Sequence, residues 1–191
     1  VMLNPNVHKL YLTLTPPALD DQRSDFERLR AALDVEGFEV TAGLAVRRQL
    51  PRVLRAADWA VTAVVVGQQL VAVEPGDTSE RSFGVAFDVG TTTVVGMLIN
   101  LASGAPVAVR SVLNSQASFG ADVIARISHV MMEADGLETL AARILGSFNE
   151  VLAGLLAEGD VKPEEVYELV VAGNATMTHL LLGITPEAIG V

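Results

Sequence analysis

The residues best equipped for chemistry are Asp88-Val89-Gly90-Thr91-Thr92-Thr93. A triphosphate needs backbone amides that it can approach closely, hydroxyl donors, and a carboxylate that organises magnesium without cancelling the attraction. This hexapeptide offers all three. Gly90 removes a side chain where the backbone must bend or admit an oxygen, and the threonines add amides and hydroxyls. Asp88 ends an apolar strand predicted over residues 83–88. Magnesium keeps several of its waters, so this carboxylate is expected to act mostly through water. The run has neither the Gly-Lys-Ser/Thr of a Walker loop nor the Gly-x-Gly-x-x-Gly of a dinucleotide fingerprint. Taken alone it fits equally a tight hairpin in which Asp88 caps amides and the threonines favour extended backbone.

A second constellation spans residues 170–179, where an apolar strand ends in Gly173-Asn174 and a helix begins. Helix N-termini attract anions. Gly173 allows close backbone approach, and Asn174 either caps the helix or reaches a nucleotide or a magnesium-bound water. Both readings of Asn174 stand, and Thr176 is a weaker candidate. His179 and His129 have no ligand partner at useful spacing and read as packed or surface histidines. Asp122 and Arg126 lie four apart on a predicted helix and read as an intrahelical ion pair. Trp59 and Phe119 read as core or loop anchors. No Ser-His-Asp set or carboxylate pair follows from spacing, so no catalytic residue is assigned.

Composition narrows the ligand classes. Thirteen Lys and Arg against 23 Asp and Glu give a net charge of -10 over 191 residues, which argues against a nucleic-acid partner held by a basic surface. ATP is still allowed, because a few amides and one magnesium ion hold a phosphate locally. The absence of cysteine excludes disulfides, thiolate zinc sites and cysteine-held iron–sulfur clusters within these residues. Residues 1–6 lack the basic and apolar blocks of a signal peptide, and no apolar run is read as a membrane span. No membrane partner is expected, and a cytoplasmic setting fits.

The elements that must position these residues read as α/β. A strand over residues 7–14 is stopped by Pro16-Pro17, and Ser24 with Glu27 has capping-box spacing for a helix. A strand over residues 38–44, a short helix with Pro51 in its first turn ending near Trp59, and strands over 60–66 and 70–73 complete a small unit. The breaker-rich residues 74–80 form the predicted boundary. Strands over 83–88, 94–101 and 107–113 then make a β-meander with the ligand loop at its first turn. A helix follows over 122–132, with Val123, Ile124, Ile127, Val130 and Met131 on one face. Asp135 and Glu138 offer another capping box for a long helix that Gly159 stops. A buried strand over 167–172 and a short helix through Leu182 close the pattern.

The order strand, Asp-Val-Gly-Thr-Thr-Thr, strand, reversal at Gly104, strand resembles the actin-like, sugar-kinase and Hsp70 superfamily, whose corresponding loop contacts the terminal phosphates of ATP. Residues 87–94, Gln116 with 119–127 (Phe-Gly-Ala-Asp-Val-Ile-Ala-Arg-Ile), and 173–180 (Gly-Asn-Ala-Thr-Met-Thr-His-Leu) narrow the resemblance to the reductive activators of corrinoid proteins. Upstream, Leu14-Thr15-Pro16-Pro17 and residues 24–29 are similar to the middle domain of those proteins. The resemblance implies a small α/β middle domain over residues 1–80. Residues 81–191 would then be the first half of an actin-like ATPase domain, an RNase H-like lobe with a mixed sheet and flanking helices.

It further implies ATP and magnesium as cofactors, held by Asp88, Gly90, Thr91, Thr92, Thr93, Gly173 and Asn174, with Asp88 on the metal through water. The implied partners are a corrinoid protein and the remaining domains of the parent activator, and a homodimer is compatible. Such activators resemble a machine in which a plant-type [2Fe-2S] domain delivers an electron to cob(II)alamin, and ATP drives the uphill reduction to cob(I)alamin. With no cysteine, these residues leave the cluster to an upstream domain. They stop at Gly190-Val191, before a second phosphate loop. The chain therefore reads as an internal fragment, inactive alone, that supplies the first phosphate loop and a docking surface. The alternatives are a small-molecule kinase of the same superfamily and a non-catalytic docking or assembly module.

Overall fold

β-Forming residues near the start make β1 (Val7–Thr13), which runs antiparallel to β3 (Ala60–Val66) with Val7 opposite Val66 and Thr13 opposite Ala60. The computed structural model describes residues 5–190; readings that fall on residues 1–4 and 191 lie outside the described residues. β3 pairs on its other side with β4 (Gln69–Pro75), and a two-residue β2 (Thr41–Ala42) adds parallel to β4, giving the order β1-β3-β4-β2. Val61, Ala63 and Val65 share one face of β3 and pack with Leu29 and Leu33 of α1 (Asp25–Val35) and Leu50 and Leu54 of α2 (Leu44–Ala56). The capping box of α1 is formed: Glu27 N donates to Ser24 Oγ at 3.3 Å, and Ser24 N donates to Glu27 Oε2 at 2.9 Å.

Two readings in this unit are corrected. The strand predicted over 38–44 shrinks to Thr41–Ala42, and α2 starts at Leu44, which leaves Pro51 inside the helix. Pro51 has no N–H for the Arg47 carbonyl, yet both residues are exposed, so water can serve that carbonyl. Buried Leu50 and Leu54 bind the helix to the core and outweigh the local breaker. The breaker-rich segment after β4 is also bonded back. Lys9 Nζ meets Glu74 Oε2 at 2.6 Å and donates to Arg81 O at 2.9 Å. Thr62 Oγ1 donates to Gly76 O at 2.7 Å and accepts from Thr78 N at 2.9 Å. The chain divides into two compact units, Val1–Ser82 and Phe83–Val191.

The second unit carries the meander β5 (Phe83–Val89), β6 (Thr93–Asn100) and β7 (Pro106–Leu113), with β8 (Val166–Gly173) parallel to β5. The order β7-β6-β5-β8 is the RNase H-like arrangement expected of a mixed-sheet lobe. Between β7 and β8 run α3 (Val123–Met132) and α4 (Gly136–Gly159), and α5 (Ala175–Leu182) follows β8. Leu140, Ile144, Val151 and Leu155 form the buried stripe of α4, and the Phe148 ring lies 4.2 Å from that of Phe87. α4 closes so tightly on β6 that a Cβ at Gly96 would lie 2.5 Å from Val151 Cγ1.

Five expectations change here. No apolar run is expected to span a membrane, yet α4 is long and apolar enough to cross a bilayer by length and composition, although its buried stripe serves this core. Asp135 lies at φ -108°, ψ 16°, outside the extended conformation an N-cap needs, so it forms no capping box with Glu138. The stop is Asp160, in the left-handed region at φ 49°, and Gly159 is the last helical residue. The strand predicted as buried is the last in its sheet among the described residues, and its faces are only partly covered: Leu169 and Val170 of β8 are 52% and 56% exposed. On α3, Ile124 and Met131 face outward while Arg126 and Ile127 are buried.

Two measurements check this fold. Gly96→Val would push α4 from β6 and is expected to cost about 1–3 kcal/mol in urea denaturation, the usual penalty of overpacking. In the first unit, hydrogen bonds from Arg23 and then Arg28 hold the Asp21 carboxyl well below its ordinary 3.8. The unfolded chain therefore takes up that proton first, and the Asp21 contribution is present above pH 3.8 and lost as pH falls below it. Urea midpoints followed from about pH 5 to pH 2 should show a shallower acid-side decline in Asp21→Asn.

Candidate phosphate-binding site

The loop Gly90–Thr93 closes the β5–β6 hairpin, with Gly90 N donating to Thr93 O at 2.9 Å. Gly90 is needed for this closure, because a Cβ there would lie 2.9 Å from the Thr93 carbonyl oxygen. Three successive loop carbonyls are held from inside the unit. Asn114 Nδ2 donates to Gly90 O at 2.9 Å, Arg126 Nη2 donates to Thr91 O, and Asn114 N donates to Thr92 O at 2.8 Å.

In a trans peptide the N–H points opposite to the carbonyl it adjoins. Carbonyls of Gly90 and Thr91 turned inward therefore send the N–H groups of Thr91 and Thr92 outward. Among the described residues, neither amide has a protein partner, and neither do the hydroxyls of Thr91, Thr92 and Thr93. Asp88 is exposed at the end of β5, and its carboxylate likewise makes no hydrogen bond or ion pair among the described residues. The arrangement is a small nest of free donors beside one free carboxylate, chemistry suited to an anion with a bound cation.

Because β8 runs parallel to β5, with Asp88 opposite Ala172 and Val89 opposite Gly173, the second constellation ends at the same sheet edge. A Cβ at Gly173 would lie 3.2 Å from Val89 O, so the glycine permits this close pairing. The structure thus brings Asp88, Gly90, Thr91, Thr92, Thr93, Gly173 and Asn174 to one edge. Asn174 caps α5, its Oδ1 accepting from Met177 N at 2.9 Å, and its side-chain NH2 makes no hydrogen bond among the described residues.

The framework beneath the loop is what sequence reasoning missed. Asn114, Gln116 and Arg126 are all buried. Gln116 N donates to Asn114 Oδ1 at 3.0 Å, Gln116 Nε2 to Leu140 O at 2.8 Å, and Arg126 Nη1 to Gln116 Oε1 at 3.0 Å. Arg126 Nε reaches Gly120 O at 3.0 Å, and Nη1 lies 3.1 Å from the Met177 sulfur. The Asp122–Arg126 pair is corrected accordingly: Asp122 Oδ1 accepts from Ala125 N at 2.8 Å as the cap of α3, and the guanidinium turns inward. Asn-Ser-Gln directly after a strand, with an arginine in an apolar helix, was the available signal. Of the histidines considered, His179 Nδ1 lies 2.7 Å from Ala175 O and His129 packs on Phe119. No group of three or more His, Asp or Glu among the described residues is placed to hold a metal.

Residues 83–191 match the family model described as the RACo middle region, and residues 1–80 that described as the RACo linker region. The corrinoid activation enzyme RamQ of Eubacterium limosum is 33% identical over 128 residues, covering 66% of this chain and 22% of that protein. A solved reductive activator for corrinoid, iron–sulfur protein superposes with a TM-score of 0.87 at 38% identity, over 99% of this chain and 31% of the other. The chain therefore spans less than a third of the length of either relative.

The framework predicts a measurable dependence. Asn114→Ala strips donors and an acceptor from Gly90 O and Gln116 N, and should destabilise the second unit by about 1–3 kcal/mol in denaturant titration. Amide hydrogen exchange at Gly90, whose N–H closes the hairpin on Thr93 O, should rise in the same variant; unchanged protection there would mean that Asn114 does not hold the loop.

Proposed function

The chain belongs to the RACo family of reductive activators of corrinoid proteins, and from that premise we propose that it supplies the first phosphate loop of an ATP-dependent activator. In this reading the intact protein returns inactive cob(II)alamin on a corrinoid protein to cob(I)alamin. The cobalt gains one electron and no atom is transferred. The observation that carries the reading is the loop whose carbonyls are bound inward, leaving the Thr91 and Thr92 amides beside the Asp88 carboxylate with no partner among the described residues.

These residues fit magnesium and a nucleotide. The Thr91 and Thr92 amides would hold oxygens of the terminal phosphates, and the threonine hydroxyls would add donors. Asp88 would orient magnesium-bound water, and Gly173 and Asn174 would border the same phosphates from β8 and α5. Mg-ATP, when bound, supplies the free energy that drives the reduction. The same residues do not fit a [2Fe-2S] cluster, because they contain no cysteine; its electron transfer belongs to another part of the parent activator. The first unit is assigned a docking role toward the corrinoid protein or the remaining domains.

Asp88 is exposed and its side chain makes no bond among the described residues, so Asp88→Ala should change stability by less than about 0.5 kcal/mol. In the intact activator it should weaken Mg-ATP-dependent cob(II)alamin reduction by about 10- to 100-fold, the range for losing a partner that orients metal-bound groups. The cluster should remain fully reducible. Reduction that stays as ATP-dependent as in the wild type would overturn this role for Asp88.

A further inference from the structure

Arg126 is 0% exposed, and among the described residues no carboxylate touches its guanidinium. Its acceptors are the carbonyl oxygens of Gly120 and Thr91, the side-chain oxygen of Gln116 and the sulfur of Met177. Burying a cation without an ion pair is costly, and a packed apolar side chain would fill the same volume more cheaply. Burial pushes the Arg126 guanidinium below its ordinary value, while the charge of Asp122 opposes the shift. Arginine nonetheless remains cationic near neutrality. A neutral amide such as that of Asn114 already holds the neighbouring Gly90 carbonyl. The positive charge at Thr91 therefore needs a reason beyond closing the loop.

Resting on the nucleotide reading, we propose that Arg126 is a positioning residue for a terminal phosphate, acting through the Thr91–Thr92 peptide. By holding the Thr91 carbonyl inward it fixes the Thr92 N–H outward. By drawing electron density from that carbonyl it makes the N–H on the other side of the same peptide a stronger donor. Its charge also lies within the low-dielectric interior behind the loop, where it attracts an anion with little screening. Asn114 does the neutral part of this work for the Thr91 N–H. Met177 places the guanidinium against α5, so the β8 side of the sheet edge shares the same anchor.

The test uses the intact activator and titration calorimetry with Mg-ATP and with AMP, which lacks the terminal phosphates. Arg126→Met should weaken Mg-ATP at least about tenfold, equivalent to about 1.4 kcal/mol, and AMP less than about twofold. Arg126→Lys, which keeps the charge but reaches fewer acceptors, should recover part of the loss. Equal losses for both ligands, or no loss for Mg-ATP, would sink the inference and leave the nucleotide reading intact. Wild-type protein that binds no Mg-ATP would sink both. Should Arg126→Met fail to fold, 15N-threonine spectra of the wild type and Arg126→Lys decide. Mg-ATP should shift the Thr91 and Thr92 amides in the wild type, and Arg126→Lys should diminish the Thr92 shift while sparing that of Thr91. A Thr92 shift unaffected by the lysine overturns the proposal.

Discussion

A guanidinium buried among carbonyl oxygens has to be surrounded before it is tolerated, and much of the second unit is arranged to surround Arg126. Each acceptor comes from a different stretch of chain: the β5–β6 loop, the 3-10 turn Ser115–Ser118, the Gly120 peptide and α5. No single contact could offset the desolvation of a charge-bearing group, so the set must form together. That requirement fixes the loop carbonyls, and the carbonyls fix the direction of the loop amides. A polar network that would weaken a core if half satisfied thus becomes the element that gives the hairpin one conformation.

Topology supplies the other half of the edge. The long apolar stripe of α4 needs a sheet face, and it finds one across β6 and β7 at Gly96. Having crossed that face, the chain returns as β8 alongside β5 and in the same direction. Parallel neighbours end at one edge, so Gly173 arrives beside Val89 without any side-chain contact having to choose the position. The helix that starts there then directs its N-terminus and Asn174 to the same edge, and Met177 one turn later joins the buried network.

The loop residues, the meander, the Ser24 capping box and α4 were legible because each depends on its own few residues: a turn sequence, a strand pattern, a cap or a helical stripe. The errors fall where distant partners decide. Pro51 reads locally as a helix start, yet burial of Leu50 and Leu54 extends α2 through it. Apolar residues 167–172 read as a buried strand, but burial needs an element packed over each face of the sheet, and among the described residues Leu169 and Val170 of β8 stay exposed. Arg126 beside Asp122 at helical spacing reads as a surface pair. Its real partners lie 6, 10, 35 and 51 residues away, beyond any local pattern.

The same contrast bears on how so acidic a chain would hold a polyphosphate in the proposed reading. With a formal charge of -10, its long-range field repels anions. Surface charges, however, are screened over about 8–10 Å at ordinary ionic strength. Outward amides of Thr91 and Thr92 act at contact distance, and the cation behind them is shielded from salt by the protein itself. A site made from a lysine cluster would have to overcome the surrounding carboxylates in the same screened solvent. One made from oriented peptides over a buried guanidinium competes with them only at short range, where geometry outweighs net charge.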